Sequence, residues 1–95
     1  LEHGGVRLDR QERRVFWEGE EVELTKTQFE ILAALMEHPK KVYSRGELID
    51  KAYGNTVVSE RTIDSHVRKI REAFEEAGGS PIETVRGVGF RMASS

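Results

Sequence analysis

A chain of 95 residues has room for one domain, which buries about two-thirds of its unfolded surface and so carries a single modest core. The absence of cysteine excludes disulfide staples and thiolate metal sites, and no apolar run approaches the ~20 residues that a membrane-spanning helix needs. The net charge of −2 is unpromising for a phosphate binder, but its distribution is uneven. Residues 1–24 hold Glu2, Asp9, Glu12, Glu18, Glu20, Glu21 and Glu23 against Arg7, Arg10, Arg13 and Arg14, whereas residues 61–71 hold Arg61, Arg68, Lys69 and Arg71 against Asp64 alone. An acidic half and a local basic face can coexist in one small domain.

The chain opens "LEHGG", which is neither a signal nor a transit peptide and does not begin with methionine. It is expected to be a fragment of a longer, soluble, cytoplasmic protein, with about residues 6–92 structured as one domain and His3 in a linker. Val6–Leu8, Val15–Trp17 and Val22–Leu24 are short strand expectations, with Glu18-Gly19 as a hairpin turn, and together they predict a small antiparallel sheet. Glu21 and Glu23 alternate with Val22 and Leu24 and read as the solvated face of a strand.

At "LTKTQFEILAALMEHP", Thr25 and Gln28 form a capping box ahead of Phe29, Ile31, Leu32, Leu35 and Met36, and Pro39 stops a deeply buried first helix. "YSRGELIDKAYG" repeats the signal with Ser44 and Glu47, opening a short second helix that ends near Tyr53-Gly54. The third helix, about 59–77, starts from Ser59 as N-cap and must end by Gly78-Gly79. Ile63, Val67, Ile70, Phe74 and Ala77 make one stripe at about 3.6 residues per turn and belong to the core. Opposite it, Arg61, Ser65 and Arg68 point outward with Thr62, His66 and Lys69 beside them, before the face turns acidic at Glu72, Glu75 and Glu76.

A solvated amphipathic helix with a weak Arg68–Glu72 pair would explain that face by itself. The order of elements argues for more: sheet, three helices, the third outwardly basic, then "TVRGVGFRM" over 84–92 as a strand pair with Arg86 and Gly87 at its turn. Gly87 and Gly89 are expected to supply backbone angles that other residues resist. The expected fold is α+β, a winged helix-turn-helix with an N-terminal antiparallel sheet, three helices and a C-terminal hairpin wing over 82–92.

Together "LTKTQFEILAALMEHP", "YSRGELIDKAYG", "VSERTIDSHVRKIRE" and "ETVRGVGFRM" resemble the DNA-binding effector domain of OmpR/PhoB-type response regulators, through nearly the whole chain from about Val6 to Met92. The resemblance implies sequence-specific binding of double-stranded DNA in control of transcription, as the output of a two-component system. In such proteins a receiver domain, here absent, is phosphorylated through a sensor kinase. Isolated effector domains are implied to be monomeric and to pair head-to-tail on direct-repeat half-sites, with the third helix in the major groove and the wing in the adjacent minor groove. Arg61, Thr62, His66, Arg68 and Arg71 are implied to lie near phosphates, Lys69 to reach base edges, Thr84 to sit on the backbone and Arg86 to enter the minor groove. Position on the helix agrees for all of these α-helical residues except Arg71, which falls off the outward face. Asp64 is expected to pair with Arg68 or Arg71 rather than meet DNA.

The sequence departs from the resemblance in three places. Tyr53 stands where tryptophan is common, Phe90 replaces a tyrosine and so removes a hydroxyl-to-phosphate contact, and Lys69 replaces an arginine and its fork geometry. The loop at 53–59 is implied as a possible contact for RNA polymerase. A winged helix serving protein–protein interaction without DNA affinity is the rival reading. An enzyme is not expected, since His3, His38 and His66 are scattered and neither a phosphate loop nor a metal motif is present; no cofactor is implied.

Overall fold

The computed structural model describes residues 1–93. An N-terminal sheet is built in chain order from β1 (Glu2–His3), β2 (Val6–Asp9), β3 (Arg14–Trp17) and β4 (Glu20–Val22), every neighbour antiparallel. Helices α1 (Lys26–Glu37), α2 (Arg45–Tyr53) and α3 (Glu60–Glu76) follow, and β5 (Ile82–Val85) and β6 (Gly89–Met92) close the chain as a hairpin. The expected winged helix-turn-helix is the observed architecture.

Two details of the sheet differ from expectation. Order begins earlier, because Gly4 at φ 58 folds Glu2 and His3 back onto Arg7 and Val6, and His3 Nε2 lies 3.0 Å from the Ala93 carbonyl oxygen. His3 is therefore part of the sheet and ties the two ends of the described chain together. The fourth strand is Glu20–Val22 rather than Val22–Leu24. The Glu18-Gly19 turn has φ of 46 and 89, the doubly left-handed form of a type I′ hairpin, and it sets Trp17 opposite Glu20 and Val15 opposite Val22. Glu21 and Glu23 are exposed and Val22 is buried, as the alternation predicts.

Both capping boxes form: Thr25 accepts from the Gln28 amide and Ser44 from the Glu47 amide, with each N3 side chain returning to the cap backbone. α1 is buried from Gln28 to Met36, Glu30 excepted, because it packs against α2, α3 and β6. On α3, Ile63, Val67, Ile70 and Phe74 are all fully buried, which is the predicted stripe except for its last member, Ala77, half-buried at the C-cap. α3 ends in a Schellman motif, with Gly79 N–H donating to Phe74 O at 2.8 Å, Gly78 N–H to Glu75 O at 3.0 Å and Gly78 at φ 87. Gly79 is required for a different reason, since a Cβ there would sit 2.4 Å from the Trp17 ring, which itself packs edge-on against Phe74.

The wing is fixed to the helices by its backbone. Tyr43, just ahead of α2, bonds Phe90 in both directions, at 2.8 and 2.9 Å, so the hairpin gains a third, one-residue strand. This corrects the expectation for Gly89: its φ is ordinary, and what it supplies is room, because a Cβ would fall 1.9 Å from the Tyr43 carbonyl oxygen. Gly87 does adopt φ 76, in a turn closed by Val88 N–H to Val85 O at 3.0 Å.

Candidate nucleic-acid interface

α2, the loop at 54–59 and α3 form the helix-turn-helix, and the hairpin turn at 86–88 stands beside it. Ser59 caps α3 by accepting from the Arg61 amide at 3.2 Å, which orients the first turn. The outer surface of that helix presents Arg61, Ser65, Arg68 and Lys69 exposed, with Thr62, His66 and Arg71 half-buried beside them. On the wing, Thr84, Arg86, Gly87 and Val88 are exposed.

Pairing separates these cations from most of the others. Arg10, Arg13, Arg14, Lys41, Arg45, Lys51 and Arg91 all face carboxylates within ion-pair distance. Arg61, Arg68, Lys69 and Arg86 enter no ion pair among the described residues, and neither do Arg7, Lys26, Lys40 and Arg71. The weak Arg68–Glu72 pair of the solvated-helix reading does not form among the described residues. Most of the cations without a carboxylate partner among the described residues are thus gathered on α3 and at the wing turn, whereas Arg7, Lys26 and Lys40 are scattered over β2, the start of α1 and the loop after it.

Three residues are engaged inside the protein in ways the sequence did not indicate. Asp64 pairs with Arg45 of α2, Nε to Oδ1 at 2.6 Å, rather than with Arg68 or Arg71, so a carboxylate on the exposed helix is neutralised from the neighbouring one. His66 Nε2 lies 2.8 Å from the Tyr53 hydroxyl, while its Nδ1 is buried with no partner among the described residues. Burial, and after it the Lys69 ammonium, hold the His66 imidazole below its ordinary pKa, which keeps it neutral near pH 7. Arg71 Nη2 donates to Thr84 Oγ1 at 2.6 Å and to Ile82 O at 3.2 Å, so these two expected DNA-contacting side chains are bonded to one another. Only the half-buried position of Arg71 on α3 hinted at this.

Residues 19–92 match the family described as "Transcriptional regulatory protein, C terminal". The chain belongs to that family. It is 38% identical over 95 residues to the phosphate regulon transcriptional regulatory protein PhoB of Pseudomonas aeruginosa, covering 99% of this chain and 42% of that protein. With PhoB of Rhizobium meliloti it shares 40% over 96 residues, again covering 99% and 42%. The chain therefore spans less than half the length of the curated relatives it matches. Among solved structures, the AdeR response regulator DNA-binding domain in complex with an intercistronic region superposes with a TM-score of 0.91 at 33% identity, over the whole of both chains. The Klebsiella pneumoniae RstA DNA-binding domain in complex with the RstA box gives 0.83 at 27%, over 98% of this chain and 95% of that one.

The Tyr43–Phe90 bridge, and the glycine that admits it, hold the hairpin in a fixed relation to the start of α2. No helix among the described residues is long and apolar enough to cross a membrane, and no group of side chains among them could hold a metal ion.

Proposed function

We infer that the chain binds double-stranded DNA sequence-specifically and serves as the output domain of a transcriptional response regulator. The observation that carries this reading is the clustering of Arg61, Arg68, Lys69 and Arg86, none with a carboxylate partner among the described residues, on the outer face of α3 and the wing turn. Arg61 and Arg68 suit phosphates, and Lys69, with Ser65 beside it, faces the base edges once α3 enters a major groove. Thr62 stands at the flank of the helix where it meets the backbone. Arg86, with Gly87 keeping the turn slim, reaches the adjacent minor groove.

Electrostatics also fixes the direction of approach. Glu72, Glu75 and Glu76 are exposed on the last turns of α3, and they repel phosphates from that end. The N-terminal half of the helix is left to enter the groove. The Arg45–Asp64 pair removes the repulsion that a bare Asp64 would add there.

The proposal extends to the whole protein in three respects. The domain acts after a receiver that a sensor kinase phosphorylates, and two copies occupy direct-repeat half-sites head-to-tail. The loop at 54–59, where Val57 is 95% exposed, offers an apolar contact to RNA polymerase. Titrating the domain into duplex DNA at stepped salt tests the core of this reading. Affinity should fall by about 0.9 log units per log unit of salt for each phosphate neutralised. Absence of any salt-dependent affinity for duplex DNA would leave a protein-interaction winged helix in its place.

A further inference from the structure

We propose that Arg71 and Thr84 are positioning residues that set the wing against α3, and that Arg86 reads the minor groove only while they are joined. The proposal rests on the DNA-binding reading above. It assigns to these two side chains a role other than touching the nucleic acid.

The argument begins at the edge of the hairpin. Phe90 commits both its backbone groups to Tyr43, so in the antiparallel ladder the Thr84–Phe90 and Ile82–Met92 pairs are the non-hydrogen-bonded ones. The backbone groups of Ile82 and Thr84 therefore face away from β6, along the open edge of β5. One nitrogen of Arg71 closes that edge, donating to Ile82 O at 3.2 Å and to Thr84 Oγ1 at 2.6 Å. The Arg71 guanidinium carbon lies 5.9 Å from the centre of the Phe90 ring, and that of Arg45 lies 5.0 Å from it. Arg45 in turn holds Asp64.

A closed circuit results: α2 to α3 through Arg45–Asp64, α3 to β5 through Arg71, β6 back to the start of α2 through Phe90–Tyr43. Without the Arg71 link β5 loses its fastening to α3 and the hairpin is held through β6, by Tyr43 and by the buried Phe90 and Met92, so that its turn can pivot about that strand. Arg86 lies two residues beyond Thr84 at the turn, where such a pivot displaces it most. Nη2 of Arg71 is committed inside the protein, and the two bonds fix the side chain against β5 whatever its remaining N–H groups meet.

The test crosses two variants with Arg86→Ala on duplexes whose half-site is flanked by A·T-rich or G·C-rich sequence, with thermal unfolding confirming that each variant is folded. Thr84→Val removes the acceptor while keeping size, branching and every charge; Arg71→Ala removes the donor. On the A·T-rich flank, Arg86→Ala should cost about tenfold in the wild-type background, and under about threefold in either variant. With Arg86→Ala already in place, adding Arg71→Ala should leave the salt slope unchanged, because no further contact with DNA is lost. Additive losses in both backgrounds, or a slope lowered by about one more when Arg71→Ala is added to Arg86→Ala, would overturn the proposal and return Arg71 to the phosphates. An equal loss for Thr84→Val on both flanks, with the Arg86 effect intact, would likewise overturn it and make the hydroxyl a backbone contact. Loss of salt-dependent duplex binding by the wild type would sink the DNA-binding reading itself, a result distinct from all of these.

Discussion

The Tyr53 hydroxyl and His66 Nε2, 2.8 Å apart, join the last residue of α2 to the middle of α3. The hydroxyl can donate to a bare Nε2 or accept from a protonated one, and it is burial, with the nearby Lys69 ammonium, that favours the neutral ring by depressing its pKa. A histidine whose folded pKa is lowered binds a proton more readily when unfolded. Its contribution to stability is therefore complete above the unfolded value, about 6.5, and is lost as pH falls below it toward the folded value. Denaturant midpoints should drop between about pH 7.5 and 5.5, and the drop should shrink in His66→Gln. Tyr53→Phe should cost about 1–2 kcal/mol at pH 7.5, since it leaves both ring nitrogens without a partner. A wild-type profile that His66→Gln leaves unaltered would refute the assignment.

Arg68 and Lys69 are neighbours in sequence with different tasks. Arg68→Ala should weaken binding alike on every duplex and reduce the salt slope by about one, as the loss of a phosphate contact does. Lys69→Ala should instead relax preference at one or two base pairs, costing roughly 1–3 kcal/mol on the best site. Titrations over a panel of single-base variants separate the two. Identical behaviour across the panel would show that the roles are misassigned.

Features that depend on residues a few positions apart were legible in the sequence. Thr25–Gln28, Ser44–Glu47, the Ile63 to Phe74 stripe and the Glu18-Gly19 turn each need only local geometry, and the structure contains all of them. The strand at Glu2–His3 was illegible because two residues without alternation become a strand only by pairing with Val6 and Arg7. For the same reason Asp64 found Arg45, nineteen positions away, rather than a partner on its own helix. The candidate site divides along the same line: which residues face outward followed from periodicity, whereas the engagement of Arg71, Thr84 and His66 depends on how α2, α3 and the hairpin meet.

Gly87 and Gly89 separate two reasons for a glycine within three residues. Gly87 holds φ 76 with nothing within 4 Å of where a Cβ would be, so Gly87→Asn, whose side chain tolerates left-handed backbone, should cost under about 1 kcal/mol. Gly89→Ala places a Cβ 1.9 Å from the Tyr43 carbonyl oxygen, which is backbone and already bonded to Phe90. It should cost at least the upper part of the 1–3 kcal/mol range, roughly, that overpacking incurs, and should free the wing from α2. Chemical denaturation of the two variants checks the order. Equal costs would contradict the packing account.

Arg86 stands at the turn of the wing, exposed and without a partner among the described residues. An isolated surface arginine contributes little to stability, so Arg86→Ala should leave the unfolding midpoint nearly unchanged. Its effect on binding depends on where the side chain goes. A narrow A·T-rich minor groove concentrates negative potential, and a guanidinium inserted there gains more than one resting on a phosphate. The expected loss is about 1–2 kcal/mol with an A·T-rich flank and distinctly less with a G·C-rich one, measured on duplexes that differ only in that flank. An equal loss on both flanks would reduce Arg86 to a phosphate contact. No loss on either would leave "RGVG" as a turn and nothing more, and Val88, 54% exposed beside it, would then be the wing residue to examine for a different partner.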